Sequence, residues 1–463
     1  MKSNYRKFAL LFFVVGVSLR VLLYWVNPPD NAFDNHFDPI FLIMKNGAIP
    51  AKNACWQCYH PPVFYWVSAM IGLMMVKIGV TVQHLLKILQ FIPCLYGIIT
   101  LAMIYLILNK LPLTDFSRLI SFIIACFLPR HIYMSAINSN DTISYLFVAL
   151  SIYFLLLTIE RDLPILINII TSIFISIAIF TKYTSFVLFP IVVISFAYIF
   201  YKNLIHSRKK VISAFILILF LPATLLATYM TSNIKNYGSP LPWNEEQMDQ
   251  ILVPAHDQSP LDFLSFTPWE SIKTPVISPG KMHHFWTLIY SGMWFDNEPK
   301  FLYFLDKNQD WWMHYYAWLR GETRFPGTNP SMSLLTKITG SGLITFGLFP
   351  LLLIIIGCYN YLRGRWKTVG NVQSSDMAAM IMFPTLLLSN ITGIIFLVLR
   401  LPIYSSMKAS YFLNSMPAFA VFLCLGIEPY EKYKIMKWVT GVIVGIIVVL
   451  VTLHILQIFL SLS

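Results

Sequence analysis

Charge is scarce in this chain of 463 residues: 12% are Asp, Glu, Lys or Arg, against roughly 25% in a soluble domain. That deficit excludes an ordinary soluble globular protein. Cysteine is scarce too, and six residues do not make a disulfide framework. Cys94, Cys126, Cys358 and Cys424 fall in apolar runs and read as small buried residues. Cys55 and Cys58 form a CxxC. The βαβ context of a thioredoxin-like site is missing, and further zinc ligands at matched spacing are not evident. A local disulfide and a purely structural pair both stay open. Internal repeats, low-complexity tracts and coiled-coil heptads are absent, which weighs against a transporter built from inverted repeats. Acidic residues are fewer than basic ones, 21 against 33, for a net charge of +12. The basic residues lie between hydrophobic runs rather than on one face. They set membrane topology, and no nucleic-acid partner is implied.

What the chain does have is apolar length. Hydrophobic residues make up 57%, aromatics 16%, and mean hydropathy is +0.67. Runs of spanning length cover 8–26, 84–108, 118–135, 141–159, 165–180, 184–201, 211–230, 334–358, 377–399, 411–427 and 438–460. The first is long, Arg-interrupted and lacks a small-residue cleavage site, so it reads as a retained helix. A run at 63–80 is ambiguous, and Lys/Arg bias decides it. If it spanned, the basic loops at 202–210, 363–367 and 432–437 would face outward. If it lies in the interface, all of them face the cytoplasm. The expectation is an all-α polytopic membrane protein of about eleven transmembrane helices, N-terminus inside, with juxtamembrane helices and one long extracytoplasmic loop. Its parts are a catalytic transmembrane module at 1–230, a Trp-rich loop at 231–332 and C-terminal helices at 333–463. The loop is too long for an idle connection, and its aromatics suit headgroup depth.

Polar clusters stand out against this background. Phe33-Asp34-Asn35-His36-Phe37-Asp38 follows the first apolar run, and Tyr59-His60-Pro61-Pro62 comes about twenty residues later. A carboxylate in a low-dielectric pocket suits a general base, and Asp34 is the candidate. Asp38-Pro39 resembles a helix cap followed by Pro at the first position. Two prolines hold the preceding residue extended, which aims His60 at phosphate, metal or sugar hydroxyl; a solvated His at a helix start is the plain alternative. Asp141, in Asn138-Ser139-Asn140-Asp141-Thr142, reads both as a helix cap and as a second acid that binds acceptor or a divalent cation. Lys182 sits between two apolar hairpin arms and needs an anionic partner, a phosphate from headgroups or from a bound lipid-linked donor, or else must snorkel to the interface. Arg400 and Lys408, with Tyr404 between them, add positive charge to the outer face, as expected of phosphate binding or of headgroup contact. His283 and His284 in the long loop are weak further candidates for a ligand or base.

In their order and common placement these motifs resemble the GT-C superfamily of polyprenyl-phosphate-sugar-dependent glycosyltransferases. The nearest likeness is to protein O-mannosyltransferases and lipid A aminoarabinose transferases. Phe33-Asp34-Asn35-His36-Phe37 is similar to that family's first-loop acidic motif. Tyr59-His60-Pro61-Pro62-Val63-Phe64-Tyr65 is similar to its "PPLYY" entry, Asn140-Asp141 to its second acidic position, and Thr181-Lys182-Tyr183-Thr184 to its "TKYT" hairpin. Ser410-Tyr411 through Pro417 echoes its "RY..P..P" segment. Asn35 departs from "DE", and Tyr59-His60 departs from Glu-Lys, which leaves the metal site of such relatives without its usual ligands; a divalent cation is an open expectation. The resemblance implies an inverting transferase that uses a polyprenyl-phosphate sugar and a glycan, lipid or protein acceptor. It implies Asp34 and Asp141 as catalytic, and Lys182, Tyr183, Arg400 and Lys408 around the donor phosphate. Tyr59, His60, Asp38 and His36 would face the acceptor. Acids at mid-helix would instead mark a lipid-glycan transporter or flippase, and an inactive scaffold is the other alternative. Because the long loop lacks a usable sequon (Asn329 precedes Pro330), the expected location is a bacterial inner membrane, with the site on its periplasmic face.

Overall fold

The computed structural model describes residues 3–31, 35–202, 204–205, 207–242, 264–277, 284–297, 301, 313–314, 317, 332–364, 374–400 and 406–462. The first half comprises α1 (Ser3–Val26), α2 (Phe37–Asn46), α3 (Val63–Lys77), α4 (Val82–Lys110), α5 (Asp115–Cys126), α6 (Pro129–Ser135), α7 (Asp141–Glu160), α8 (Ile165–Ile179), α9 (Leu188–Tyr201) and α10 (Arg208–Tyr237). Later come Phe285–Trp294, Leu334–Leu362, Met382–Arg400, Met416–Ile427 and Lys434–Leu462. All eleven expected runs are helical. Among the described residues nine helices are long and apolar enough to cross a membrane, or ten if the bent pair α5/α6 counts as one span. The remaining run, α8, has 15 residues, about 22 Å of rise. The protein is therefore an integral polytopic membrane protein. α3, the ambiguous run, also has 15 residues. With α2 it packs on α4 through a separate small core that includes Phe37, Ile40, Phe64 and Leu89.

The spanning helices alternate in direction, so the chain gathers residues 27–31, 35–62, 136–140, 180–182 and 406–410 at one end. At the other end, Lys110 pairs with Glu160 at 2.7 Å, and Lys210 pairs with Asp162. Glu428 and Glu431, just beyond Met416–Ile427, accept hydrogen bonds from the amides of Thr114 and Ser117 at 2.9 and 3.1 Å. Two carboxylates thus meet the positive N-terminus of α5 and tie the late helices to the early ones.

α5 and α6 meet at a 48° bend. Pro129 opens α6, and Leu128 before it is extended, as a residue preceding proline must be. The bend frees carbonyls at the end of α5, and Arg20 of α1 takes one of them: its guanidinium donates to Cys126 O at 2.9 Å and to Gly16 O at 2.7 Å, and meets His131 Nδ1 at 2.7 Å. Past α6, Ala136 O accepts from Asn27 and Gln90 at 2.7 and 2.8 Å. The end of α1 is covered by Lys87, whose ammonium donates to Tyr24 O and Asn27 O.

Part of the expected surface loop lies inside the bundle. In Phe285–Trp294, Phe285 is fully buried and Trp294 is 5% exposed, and Trp294 packs on Gly347. Elsewhere in the stretch Trp269 is exposed. A mostly apolar helix of ten residues is too short to register as a spanning run, but long enough to be buried.

The tightest helix contact joins Leu334–Leu362 to Met416–Ile427. A Cβ at Gly357 would stand 1.8 Å from Phe422 O, and one at Gly426 would stand 2.0 Å from Leu353 O. The backbones touch, in the small-residue packing that apolar surroundings favour. Gly357→Ala or Gly426→Ala is expected to cost about 3 kcal/mol and to lower the thermal midpoint in detergent. Gly441→Ala, which meets nothing within 4 Å, should leave it unchanged.

Candidate active site

The site lies where the loops gather. α7 begins at Asp141, with Asn140 at the cap position and no side-chain cap bond. Asp141 is thus the first helical residue rather than the cap, and its carboxylate turns to other partners. Oδ2 accepts from Ser139 Oγ at 2.8 Å. Oδ1 accepts from Lys182 Nζ at 2.6 Å and from Tyr145 Oη at 3.2 Å. Both members of the ion pair are buried, with side-chain exposures of 8% for Lys182 and 9% for Asp141. The anionic partner of Lys182 in the structure is the Asp141 carboxylate, where a phosphate is expected from the sequence.

Lys182 reaches it from an extended residue between α8 and the 3-10 turn Tyr183–Val187. Its ammonium lies 5.1 Å from the centre of the Tyr411 ring. Among the described residues it has one hydrogen-bond acceptor, which leaves two of its three N–H donors for a ligand. Tyr411 belongs to a second 3-10 turn, Ala409–Ser415. That turn is bound to α7 by Tyr145 Oη on Ser410 O at 2.8 Å and by Ser144 Oγ on Asn414 Oδ1 at 3.1 Å. Asn414 also donates to Thr184 Oγ at 3.0 Å. Three segments far apart in sequence are thus locked around one ion pair.

The first-loop residues form the other wall. His36 stands at the start of α2, where Asn35 Oδ1 accepts from the Phe37 amide at 3.1 Å. His36 Nδ1 meets Tyr65 Oη at 2.9 Å, and its ring lies parallel to that of His60 with centres 6.3 Å apart. His36 is within electrostatic reach of the Asp141 carboxylate. Tyr59 packs on His60 at 4.1 Å. Tyr183 Oη meets Tyr59 O at 3.4 Å and Tyr229 Oη at 3.3 Å. After the Pro-Pro corner, the Val63 amide donates to Phe180 O at 3.0 Å, which seats α3 on the end of α8.

His36, Tyr59, His60, Asp141, Lys182 and Tyr183 therefore converge. Asp34 and Tyr404 lie outside the described residues, as does His283. His284 opens Phe285–Trp294 and meets Thr267 Oγ at 3.1 Å. Asp38 is an exposed residue in the first turn of α2 and does not cap it, because the helix starts one residue earlier, at Phe37. There it faces the positive helix end instead. Lys408 is buried before the 409–415 turn. Arg400 is exposed at the end of its helix. Cys55 and Cys58 are joined in a disulfide, which settles the pair in favour of the local bridge. Among the described residues no three His, Cys, Asp or Glu side chains converge as metal ligands. Sequence reading passed over Tyr145 and Lys52. The i to i+4 spacing from Asp141 to Tyr145 was available as a signal; Lys52 offered none.

Residues 59–226 match the family described as dolichyl-phosphate-mannose-protein mannosyltransferase. Three of the four leading motifs fall inside that span, while Phe33–Phe37 and the 410–417 segment fall outside it. No curated protein sequence matches the chain. Among solved structures it resembles the Archaeoglobus fulgidus oligosaccharyltransferase in complex with zinc and sulfate, with TM-score 0.54 and 13% identity over 96% of this chain and 53% of that one. The same enzyme tethered to an acceptor peptide with an NVT sequon gives TM-score 0.53 and 12% identity over 97% and 55%. The chain thus spans about half the length of these relatives, and at such identity the likeness is one of fold.

The buried pair is open to a direct test. Asp141→Asn leaves the Lys182 ammonium without its carboxylate and should destabilise the protein by about 3 kcal/mol. Adding Lys182→Met should recover most of that loss, as read by thermal unfolding in detergent. The chain is thus similar over residues 59–226 to the dolichyl-phosphate-mannose-protein mannosyltransferase family, and similar in fold to an oligosaccharyltransferase.

Proposed function

We propose that the protein is an inverting glycosyltransferase that moves a sugar from a polyprenyl-phosphate donor to an acceptor hydroxyl on the extracytoplasmic side. The observation that carries this reading is Lys182, a buried ammonium held by Asp141 with two donors left over, beside an apolar cavity. That cavity of about 440 Å³ includes Phe412, Met416, Trp286, Tyr290, Ile354 and Leu387 in its lining. Phe412 follows directly on Tyr411, so one short turn separates the charged pocket from the apolar one. A lipid phosphate has the matching shape, with an anionic head for Lys182 and an isoprenoid tail for the cavity.

The chemistry follows from those places. The acceptor oxygen attacks the anomeric carbon opposite the phosphate, and the bond from that carbon to the phosphate oxygen breaks. The electron pair leaves on polyprenyl phosphate, where Lys182 stabilises the growing charge from a fixed position in a low-dielectric setting. Asp34, two residues before His36, takes the proton of the acceptor hydroxyl as general base. Asp141 keeps Lys182 oriented and turns its second oxygen toward the acceptor side. His36, Tyr59 and His60 line that side, and Arg400 and Lys408 supplement the phosphate contact. A flippase is disfavoured because Asp141 lies at a helix end rather than at mid-helix.

Native mass spectrometry of the purified protein with undecaprenyl phosphate tests the donor site. The wild type should retain the lipid, and the Asp141→Asn, Lys182→Met variant should retain at least tenfold less. Equal retention would remove Lys182 from the phosphate site. Asp34→Asn should keep the lipid and lower hexose transfer from undecaprenyl-phosphate hexose about a thousandfold; unchanged turnover would rule Asp34 out as the base.

A further inference from the structure

Lys52, in the loop between α2 and α3, is 6% exposed. Its ammonium donates to Tyr59 O at 3.4 Å, to His60 O at 3.1 Å and to Tyr229 Oη. All three N–H donors are thereby occupied, each by a neutral oxygen. This distinguishes it from Lys182, which keeps donors for a ligand. A buried ammonium satisfied only by uncharged groups is costly unless its geometry is held tightly. Here the geometry closes the loop on itself: the side chain reaches forward over seven and eight residues to two successive carbonyls and fixes the direction in which Tyr59 and His60 leave the backbone.

Two further ties act on the same segment. The Lys52 amide donates to Tyr237 Oη at 3.3 Å, so the loop is anchored on α10. Between Lys52 and its two acceptor carbonyls lies the Cys55–Cys58 disulfide, with Cα atoms 5.1 Å apart. Turn bonds run from the Cys58 amide to Cys55 O at 3.1 Å and from the His60 amide to Gln57 O at 3.3 Å. A bridge that closes four residues removes little entropy from the unfolded chain. It acts on local shape rather than on global stability.

We propose that Lys52 is a positioning residue, which with the Cys55–Cys58 bridge braces the loop so that Tyr59 and His60 face the Asp141–Lys182 pair. What is positioned rests on the glycosyl-transfer reading; the brace itself does not.

The test is hydrogen–deuterium exchange of the full chain in detergent, followed on peptides covering 53–62, beside native mass spectrometry with undecaprenyl phosphate. In Lys52→Met the Cys58 and His60 amides should exchange about tenfold faster, while α7 peptides keep wild-type protection. Lys52→Arg, which can still donate to all three oxygens, should restore protection. Undecaprenyl phosphate retention should be unchanged in Lys52→Met, because the ammonium has no donor left for an anion. Unchanged protection in Lys52→Met, or an equal rise along the whole chain, overturns the brace. Loss of the lipid from Lys52→Met alone would make Lys52 a phosphate ligand and overturns it too. If Lys52→Met does not fold, Tyr229→Phe removes one acceptor and should speed exchange about threefold; no change there is equally fatal. Absence of lipid retention in the wild type would count against the glycosyl-transfer reading and leave the brace standing on the exchange data.

Discussion

A bundle this apolar cannot hold a cation that has no partner. How each is satisfied organises the structure. Arg20 serves carbonyls at the break between α5 and α6. Lys87 serves the end of α1, and Lys52 serves a loop. In each case the partners include main-chain oxygens at helix ends, bends or loops, so charge repairs the backbone where regular structure stops. Lys182 is different. Its partner is a carboxylate, and because one carboxylate oxygen occupies one of its donors, it keeps capacity that the fully engaged Lys52 lacks. Structural cation and candidate catalytic cation are told apart by what they hold, not by depth.

The repairs around α6 also set the position of Asp141. Asn27 and Gln90 both bind Ala136 O, five residues before it. Tyr145, one turn after it, holds Ser410 O. The carboxylate is therefore fixed from α1, α4 and the 409–415 turn at once. The late helices depend on the early ones in the same way, through the carboxylates that cap α5 and through the backbone contact at Gly357 and Gly426.

Much of this was legible in the sequence, for definable reasons. Each spanning run announces itself by hydropathy, because a helix facing lipid must be apolar along its length. Asp141 and Lys182 were legible because a charge beside an apolar run has few explanations. The rigid Pro-Pro corner drew attention to His60, while its ring contact with His36 was not foreseen. The remainder depended on separations that local patterns do not encode: Tyr145 to Ser410 spans 265 residues, and Lys52 to Tyr229 spans 177. Helix starts slipped by two residues at Asp38 and by one at Asp141, where an acidic side chain can serve either as a cap or as a first-turn residue. The buried helix Phe285–Trp294 was missed for its shortness, since ten apolar residues in a Trp-rich stretch look like an interfacial segment.

On the proposed reading, the 409–415 turn, with Tyr411 near Lys182 and Phe412 lining the cavity, would act as a ruler. A lipid phosphate lying across it would be registered from its charged end, and the apolar cavity would receive whatever portion of the chain comes next. Tails of very different length would then seat their heads at the same point, and selectivity would be decided by head chemistry rather than by the number of carbons behind it.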